Sequence, residues 1–161
     1  MPSVRDCKLT MRLVSAFVLA ALAGSAGHSA PSTGVSALFK DYGLFGIWAV
    51  DCAAEPSPEN PHVTVSEPKP GRVTERHDLG PRYGTNTYRM LDAHRISATR
   101  IGIDALFQPD SEAEQRQALE FSVRHHTRRT IFVRIEGGAV RVKDGVLTGH
   151  GVQTPRLKKC E

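Results

Sequence analysis

Residues 116–136 have the sequence RQALEFSVRHHTRRTIFVRIE, and two alternating apolar series run through this stretch. The first series is Leu119, Phe121 and Val123, and the second is Ile131, Val133 and Ile135. Apolar residues at every second position are typical of strands that bury one face. The stretch therefore predicts two strands, at residues 116–125 and 130–136, with both apolar series on the buried side.

Strand-type alternation continues on both sides of this stretch, interrupted by short runs rich in Pro, Gly, Asn and Asp. Such runs are typical of the turns between strands. Asp144-Gly145, between Val142 and Val146, is the strongest hairpin signal in the chain. Further strands are predicted at residues 44–52, 62–67, 72–79, 87–97, 100–107, 139–143 and 146–152.

One short helix is predicted before the first strand. Apolar residues recur there at helical spacing, at Val35, Leu38, Phe39 and Tyr42, and Gly43 follows as a stop signal. Residues 112–120 could form a second helix capped by Ser111, but the alternation that follows favours a turn and a strand.

Eight or nine short strands with no helix between them predict an antiparallel meander, and such a sheet removes its exposed edges by closing into a barrel. The predicted fold class is all-β: a single antiparallel up-and-down barrel of about eight strands, with a short N-terminal helix. Four sets of residues would line the interior: Leu44, Gly46, Trp48, Val50 and Cys52; Ile101, Ile103, Ala105 and Phe107; Leu119, Phe121 and Val123; and Ile131, Val133 and Ile135.

The N-terminus has the pattern of an export signal. Arg5, Lys8 and Arg12 precede an apolar run at residues 13–23, which small residues follow. The run is shorter than the roughly 20 residues of a membrane span, so cleavage is expected between residues 23 and 30. The predicted organisation is a signal peptide at 1–30, a linker and helix at 31–43, and a barrel domain at 44–161 that is free in the periplasm or secreted, with no membrane anchor.

The cysteine count predicts one disulfide. Of the three cysteines, Cys7 leaves with the signal, so Cys52 and Cys160 remain as a pair in an oxidising compartment. A redox site would need two cysteines close together in sequence, and these two are far apart. The pair is therefore expected to bond and to join the first strand to the end of the chain.

The chain resembles three groups of proteins. Phe45-Gly46-Ile47-Trp48, directly after a short helix, resembles the Gly-x-Trp opening of lipocalin-like barrels, in which the tryptophan plugs the closed end. A similar opening occurs in small barrels that bacteria export to inhibit their own metalloproteases. More of the chain, from Phe45-Gly46-x-Trp48-x-x-Asp51-Cys52 to Asp144-Gly145 and Thr154-Pro155-x-Leu157-x-x-Cys160, is similar to small exported bacterial proteins of unassigned function.

Glu75 and His77 form the first candidate site. They alternate with Val73 and Leu79, so they would point into the barrel if the register of that strand holds. Interior polar groups need a partner, a ligand or water. A position at the rim, where both side chains reach solvent, is the favoured interpretation.

Residues 124–143 form the second candidate site. Six basic residues lie there against a single acid, Glu136. On adjacent strands they would form a basic face that could bind an anionic ligand, lipid head groups or an acidic protein, although a solvated exterior explains the same pattern. The basic residues, which are expected mainly outside the barrel, are Arg124, Arg128, Arg129, Arg134, Arg141 and Lys143.

Other site chemistries receive little support from the sequence. His125 and His126 are adjacent, and adjacent strand residues point to opposite faces, so the pair is not expected to chelate a metal. Nucleophile elbows, phosphate-cradling loops and paired catalytic carboxylates are absent from the sequence, and no cofactor is expected. Nucleic acid is not expected as a partner, because an exported protein does not meet it and because no aromatic platform interleaves the arginines.

Three functions remain open at this point. The leading hypothesis is a small exported binding module for a ligand or an anionic protein partner. The first alternative is a protease or hydrolase inhibitor that acts through constrained loops at residues 56–61 or 80–86. The second alternative is an enzyme with an unrecognised site around Glu75 and His77.

Overall fold

The computed structural model describes residues 34–160. The predicted signal peptide, its cleavage region and Cys7 lie outside the described residues. The described part holds one helix, α1 (Val35–Asp41), and ten strands. The strands are β1 (Gly46–Ala49), β2 (His62–Lys69), β3 (Arg72–Asp78), β4 (Asn86–Ser97), β5 (Arg100–Phe107), β6 (Gln115–Arg124), β7 (Thr127–Ile135), β8 (Val140–Lys143), β9 (Val146–Leu147) and β10 (Arg156–Cys160).

The strands form a closed antiparallel barrel of eight strands, as the alternation predicts. Strands β1 to β7 pair in sequence order, and β10 pairs with both β7 and β1 to complete the circle. The β8–β9 hairpin pairs with the other half of β7 and lies outside the circle. Closure leaves the eight barrel strands without a free edge, which removes a template for aggregation.

The closing strand, β10, was not predicted. Residues 156–160 contain three basic residues, two of which are neighbouring lysines, so apolar alternation is weak there. Only Leu157 is a buried apolar residue on this strand. Pairing with β1 on one side and β7 on the other makes this segment a strand, and that information is not local to its sequence.

Strand β7 contains one extra residue relative to β6. Phe121 pairs with Thr130, whereas the preceding residue of β6, Glu120, pairs with Phe132, so Ile131 has no partner of its own. Such a bulge shifts the alternation of a strand by one residue. On its two sides, Arg128 and Val133 both lie opposite inward-facing residues of β6, so the single interior series predicted for β7 was wrong at Ile131.

Trp48 is buried in the core, and its burial was predicted. It is 1% exposed, and its indole nitrogen Nε1 donates to the carbonyl of Leu44 at 2.8 Å.

Strand β1 ends at Ala49, one residue after Trp48. Val50 is therefore 39% exposed and Cys52 is exposed, and the prediction that both face inward was wrong. The other apolar residues of the core include Val63, Val65, Val73, Met90, Ile101, Ile103, Ala105, Leu119, Phe121 and Val123.

Helix α1 covers one end of the barrel, called the helix end below. Phe39 is fully buried, and the Tyr42 hydroxyl donates to backbone carbonyls of Ser97 and Arg100 at the β4–β5 turn. In an antiparallel meander every second turn lies at the same end. The β6–β7 turn at His125 and His126 is therefore also at the helix end.

A disulfide joins Cys52 to Cys160, with 5.6 Å between their Cα atoms. It ties the residues after β1 to the end of β10, the strand that closes the barrel. Residues 34–160 contain no helix that is long and apolar enough to cross a lipid bilayer.

Candidate functional site

A buried ion pair lies inside the barrel between β3 and β7. The Arg128 nitrogens Nη1 and Nη2 donate to Glu75 Oε2 and Oε1 at 2.8 and 2.7 Å. Both side chains are 3% exposed. Two parallel bonds between a guanidinium and a carboxylate form the strongest ion-pair geometry available to side chains.

Arg128 lies inside the barrel, although the basic residues of segment 124–143 were expected mainly outside. On the N-terminal side of the bulge, Arg128 pairs with Val123 of β6 and with Leu157 of β10, both of which face the core. Cross-strand partners share a face, so Arg128 faces the core as well. Without the extra residue at Ile131, the inward series would have placed Arg129 inside instead.

Two aromatic rings enclose the Arg128 guanidinium. Its central carbon lies 4.7 Å from the ring centre of Phe121 and 5.6 Å from that of Trp48. Cations over aromatic faces are attracted to the ring electrons, and the attraction grows when water is excluded. The barrel core is therefore built around a neutral Glu75–Arg128 unit packed between rings.

His77 extends this unit toward the end of the barrel opposite α1. Its ring nitrogen Nε2 lies 2.6 Å from Glu75 Oε1, and its side chain is 24% exposed. The His77 ring packs against Tyr88 at 5.2 Å between ring centres, and Tyr88 packs against Phe107 at 5.1 Å. The predicted rim position fits the partly exposed His77 and was wrong for Glu75, which is enclosed.

Glu75 remains ionised despite its burial. Burial by itself would raise its pKa, but the Arg128 charge and the hydrogen bonds from His77 and Arg128 outweigh that cost and lower the pKa to about 2. Burial, together with the Glu75 carboxylate, raises the pKa of the Tyr88 hydroxyl, so that residue stays neutral. Both oxygens of Glu75 are already bonded, so this carboxylate serves to hold Arg128 and His77 in place.

A second feature lies on the outer wall, where β6, β7 and β10 meet. Arg129 pairs with Ser122 of β6 on one side and with Arg156 of β10 on the other, which places two arginines directly opposite each other. A cleft of about 280 Å³ opens beside them, called the arginine cleft below. Its lining consists of Ser122, Arg124, Thr127, Arg128, Arg129, Ile131 and Arg156.

Arg129 is fixed by neutral partners. Its Nε donates to the Thr154 hydroxyl at 3.1 Å, and its Nη2 donates to the Gly145 carbonyl at 2.6 Å. Gly145 has a φ of +76°, and a Cβ there would lie 2.7 Å from Arg129 Cζ. The glycine therefore leaves the space that the guanidinium occupies, and the charge of Arg129 stays uncompensated by its partners.

The arginine cleft carries unbalanced positive charge. Within residues 34–160, no carboxylate lies within 4 Å of the side-chain nitrogens of Arg124, Arg129 or Arg156. The Arg128 guanidinium is bound to Glu75 and adds no net charge. Like charges directly opposite on neighbouring strands destabilise a sheet, so an anion between them would relieve that cost.

Arg134 is not part of the arginine cleft. It lies on the other side of the bulge, opposite Ala118, and lines a separate depression of about 440 Å³ with Asp104, Arg116 and Glu136. Two acidic residues there balance two basic ones. The basic segment predicted from sequence is thus divided into a buried arginine, a charged cleft and a charge-balanced depression.

Sequence reasoning missed three contributors to the arginine cleft. Arg156 belongs to the unpredicted strand, Thr154 was named only in the C-terminal motif of the resemblance, and Gly145 only as part of a predicted hairpin turn. The alternation of Arg156 and Lys158 with Leu157 is a local signal that could have indicated an outward basic face.

Comparison of the chain with models of protein families, with curated proteins and with solved structures found no match. Its function is therefore inferred from its own geometry.

Proposed function

We propose that this chain is an exported binding module, active in the periplasm or outside the cell, that recognises an anionic group through the arginine cleft. The observation that carries this proposal is the set of three arginines, Arg124, Arg129 and Arg156, around one cleft, with no carboxylate of residues 34–160 within 4 Å of their side-chain nitrogens. Arginine is the residue best suited to carboxylate and phosphate, because its planar fork donates two parallel hydrogen bonds.

The rigid setting of the cleft supports a binding role. Arg129 is held by Gly145 and Thr154, and the Thr154 hydroxyl itself donates to the Thr130 carbonyl at 2.6 Å. A guanidinium that is already ordered loses less side-chain entropy when an anion binds. The N-terminal signal pattern and the disulfide support the proposed location outside the cytoplasm.

Calorimetric titration with citrate and with inorganic phosphate tests this proposal. We expect saturable binding that weakens as salt is raised, because screening reduces exposed charge attraction. Arg124→Gln combined with Arg156→Gln should abolish it. Arg72→Gln combined with Arg82→Gln removes the same charge from exposed positions elsewhere and is the matched control. Equal weakening in both variants would show a net-charge effect and contradict a defined site.

A second candidate function, inhibition of a hydrolase, is favoured by the loop between β1 and β2. The Asn60 amide donates to the carbonyls of Asp51, Ala54 and Glu55 at 3.0 to 3.2 Å. The β3–β4 loop lies close against the β1–β2 loop. A Cβ on Gly80 would lie only 2.5 Å from the Pro56 carbonyl oxygen. A loop held in one conformation binds a partner at lower entropic cost.

Inhibition assays on secreted proteases of the serine and metal classes test the second candidate. Tyr83 is 56% exposed in the β3–β4 loop and would contact the enzyme. Tyr83→Ala should weaken inhibition without changing the melting temperature, and Asn60→Ala should weaken it by loosening the loop. Wild-type protein that inhibits neither class would contradict this function.

A further inference from the structure

A second cleft lies immediately beside the arginine cleft, at the helix end of the barrel. It has a volume of about 320 Å³ and is formed by the end of α1, the β4–β5 turn and the β6–β7 turn. Arg124 lines both clefts, so they are neighbouring compartments on the two sides of one side chain. The remaining lining residues are Asp41, Tyr42, Ala98, Thr99, Val123 and His125.

The second cleft differs from the arginine cleft in charge. Its one carboxylate, on Asp41, is paired with Arg95 at 3.0 Å, and the Arg95 guanidinium lies 4.8 Å from the Tyr42 ring centre. The lining is therefore close to neutral apart from the shared Arg124. It suits polar or small uncharged groups, whereas the arginine cleft suits an anion.

Both walls of the second cleft are held in place. The Tyr42 hydroxyl ties α1 to the β4–β5 turn, and the amide of Val123 donates to the Thr99 carbonyl at 2.8 Å. In the β6–β7 turn, the Thr127 hydroxyl donates to the Arg124 carbonyl at 2.8 Å. Both compartments are therefore held in shape, and because they share Arg124 as a common wall they are together called the groove.

The groove crosses the barrel strands instead of following them. It runs from Arg156 on β10 past Arg129 on β7 and Arg124 on β6 to Thr99 beside β5. Three strand spacings of about 4.8 Å give a length of roughly 14 Å, which about four residues of extended chain would span at about 3.3 Å each. A single small anion would occupy only the arginine end.

We propose that the natural occupant of this groove is an extended segment of a partner polypeptide, about four residues long. An acidic residue lies among Arg124, Arg129 and Arg156, and the following uncharged residues lie in the second cleft. This inference rests on the proposed function, because the acidic residue uses the same arginines. A polypeptide is favoured over a lipid surface because the groove is concave and elongated and loses its charge along its length.

The test measures the affinities of a short and a long probe for the wild-type protein and for a variant in which the second cleft is blocked. The probes are N-acetylglutamate amide and the acetylated, amidated peptide Glu-Ser-Gly-Ser. Ala98→Trp places a large ring in the second cleft, and Ala113→Trp places the same ring on an exposed loop away from it. Melting temperatures of both variants first establish that they fold.

For the wild-type protein we expect the peptide to bind about tenfold more tightly than the single residue. Ala98→Trp should remove that gain while leaving N-acetylglutamate amide binding within about twofold, and Ala113→Trp should change neither. Equal affinities of the two probes for the wild type would overturn the inference while leaving the arginine site intact. Absence of binding by both probes overturns the proposed function as well. Binding only to vesicles of anionic phospholipid would replace the polypeptide by a membrane surface.

Discussion

Arg128 and Glu75 lie 53 positions apart in the chain and bind each other through two hydrogen bonds of 2.7 and 2.8 Å inside the barrel. The pair connects β7 to β3, which are not neighbours in the sheet. Burial of two charges costs several kcal/mol each, and that cost is offset only while both partners are present.

Removal of either charge alone should destabilise the domain strongly. We expect Arg128→Met or Glu75→Gln to lower the free energy of unfolding by about 3 to 5 kcal/mol, because the remaining group is buried without its partner. The double variant Glu75→Gln with Arg128→Met should cost far less than the sum of the two single changes. Urea unfolding followed by the fluorescence of Trp48, the chain's single tryptophan, measures all three.

Arg124→Met is the control for those variants, because it removes an exposed arginine from the same hairpin. It should change stability by no more than about 0.5 kcal/mol. A cost for Arg128→Met equal to that of the control would contradict the buried pair.

The Glu75–Arg128 pair should make stability depend on acid pH. In the folded protein the pKa of Glu75 is about 2, lower than the ordinary value of 4.5. Its contribution is fully present above about pH 4.5 and is lost as the pH falls toward 2, because the unfolded chain binds the proton more tightly. The stability difference between wild type and Glu75→Gln should therefore shrink between pH 5 and pH 3. A constant difference across that range would mean that Glu75 titrates normally.

Trp48 should be the most sensitive single apolar position of the core. Trp48→Ala removes a ring that is 1% exposed, contacts the Arg128 guanidinium and donates a hydrogen bond to Leu44. We expect a loss of roughly 3 to 5 kcal/mol. Trp48→Phe keeps a ring and should cost less. Thermal unfolding followed by circular dichroism compares them, and a neutral Trp48→Ala would show that the core is assigned incorrectly.

Gly145 tests the support of the arginine cleft. Gly145→Ala combines strain at a φ of +76° with a contact of 2.7 Å to Arg129 Cζ, so it should displace the guanidinium. Gly71→Ala is a close control, because Gly71 has a φ of +75° and nothing within 4 Å of an added Cβ. Phosphate binding should weaken in the first variant and stay unchanged in the second. Equal binding in both would show that Arg129 does not contribute.

Much of the fold could be predicted from local patterns. Strand β5 was predicted with its observed bounds, and the turn at Asp144-Gly145 joins β8 to β9 as expected. These features depend on side-chain period and turn chemistry, which a short window of sequence contains. The basic segment also indicated the wall on which the arginine cleft lies, although it did not show that Arg128 faces the core.

The sequence did not predict which basic residues face the core and which face outward, because that direction depends on pairing between strands. Nothing local marks Ile131 as an extra residue, yet that residue decides that Arg128 faces the core and Arg129 faces the cleft. The burial of Glu75 likewise depends on Arg128, which reaches it across the barrel from another strand.

The strand periods, the helix before them and the even pair of cysteines can be read locally, because each depends on a residue's own neighbours or on composition. The bulge at Ile131, the strand pairings of Arg156 and the partner of Glu75 arise only when the barrel closes. A one-residue change of register moves every following side chain to the opposite face, and the register is set by contacts with strands that are distant in sequence. A charge is buried or exposed according to that register, so the site followed from the closed barrel and not from the charge pattern.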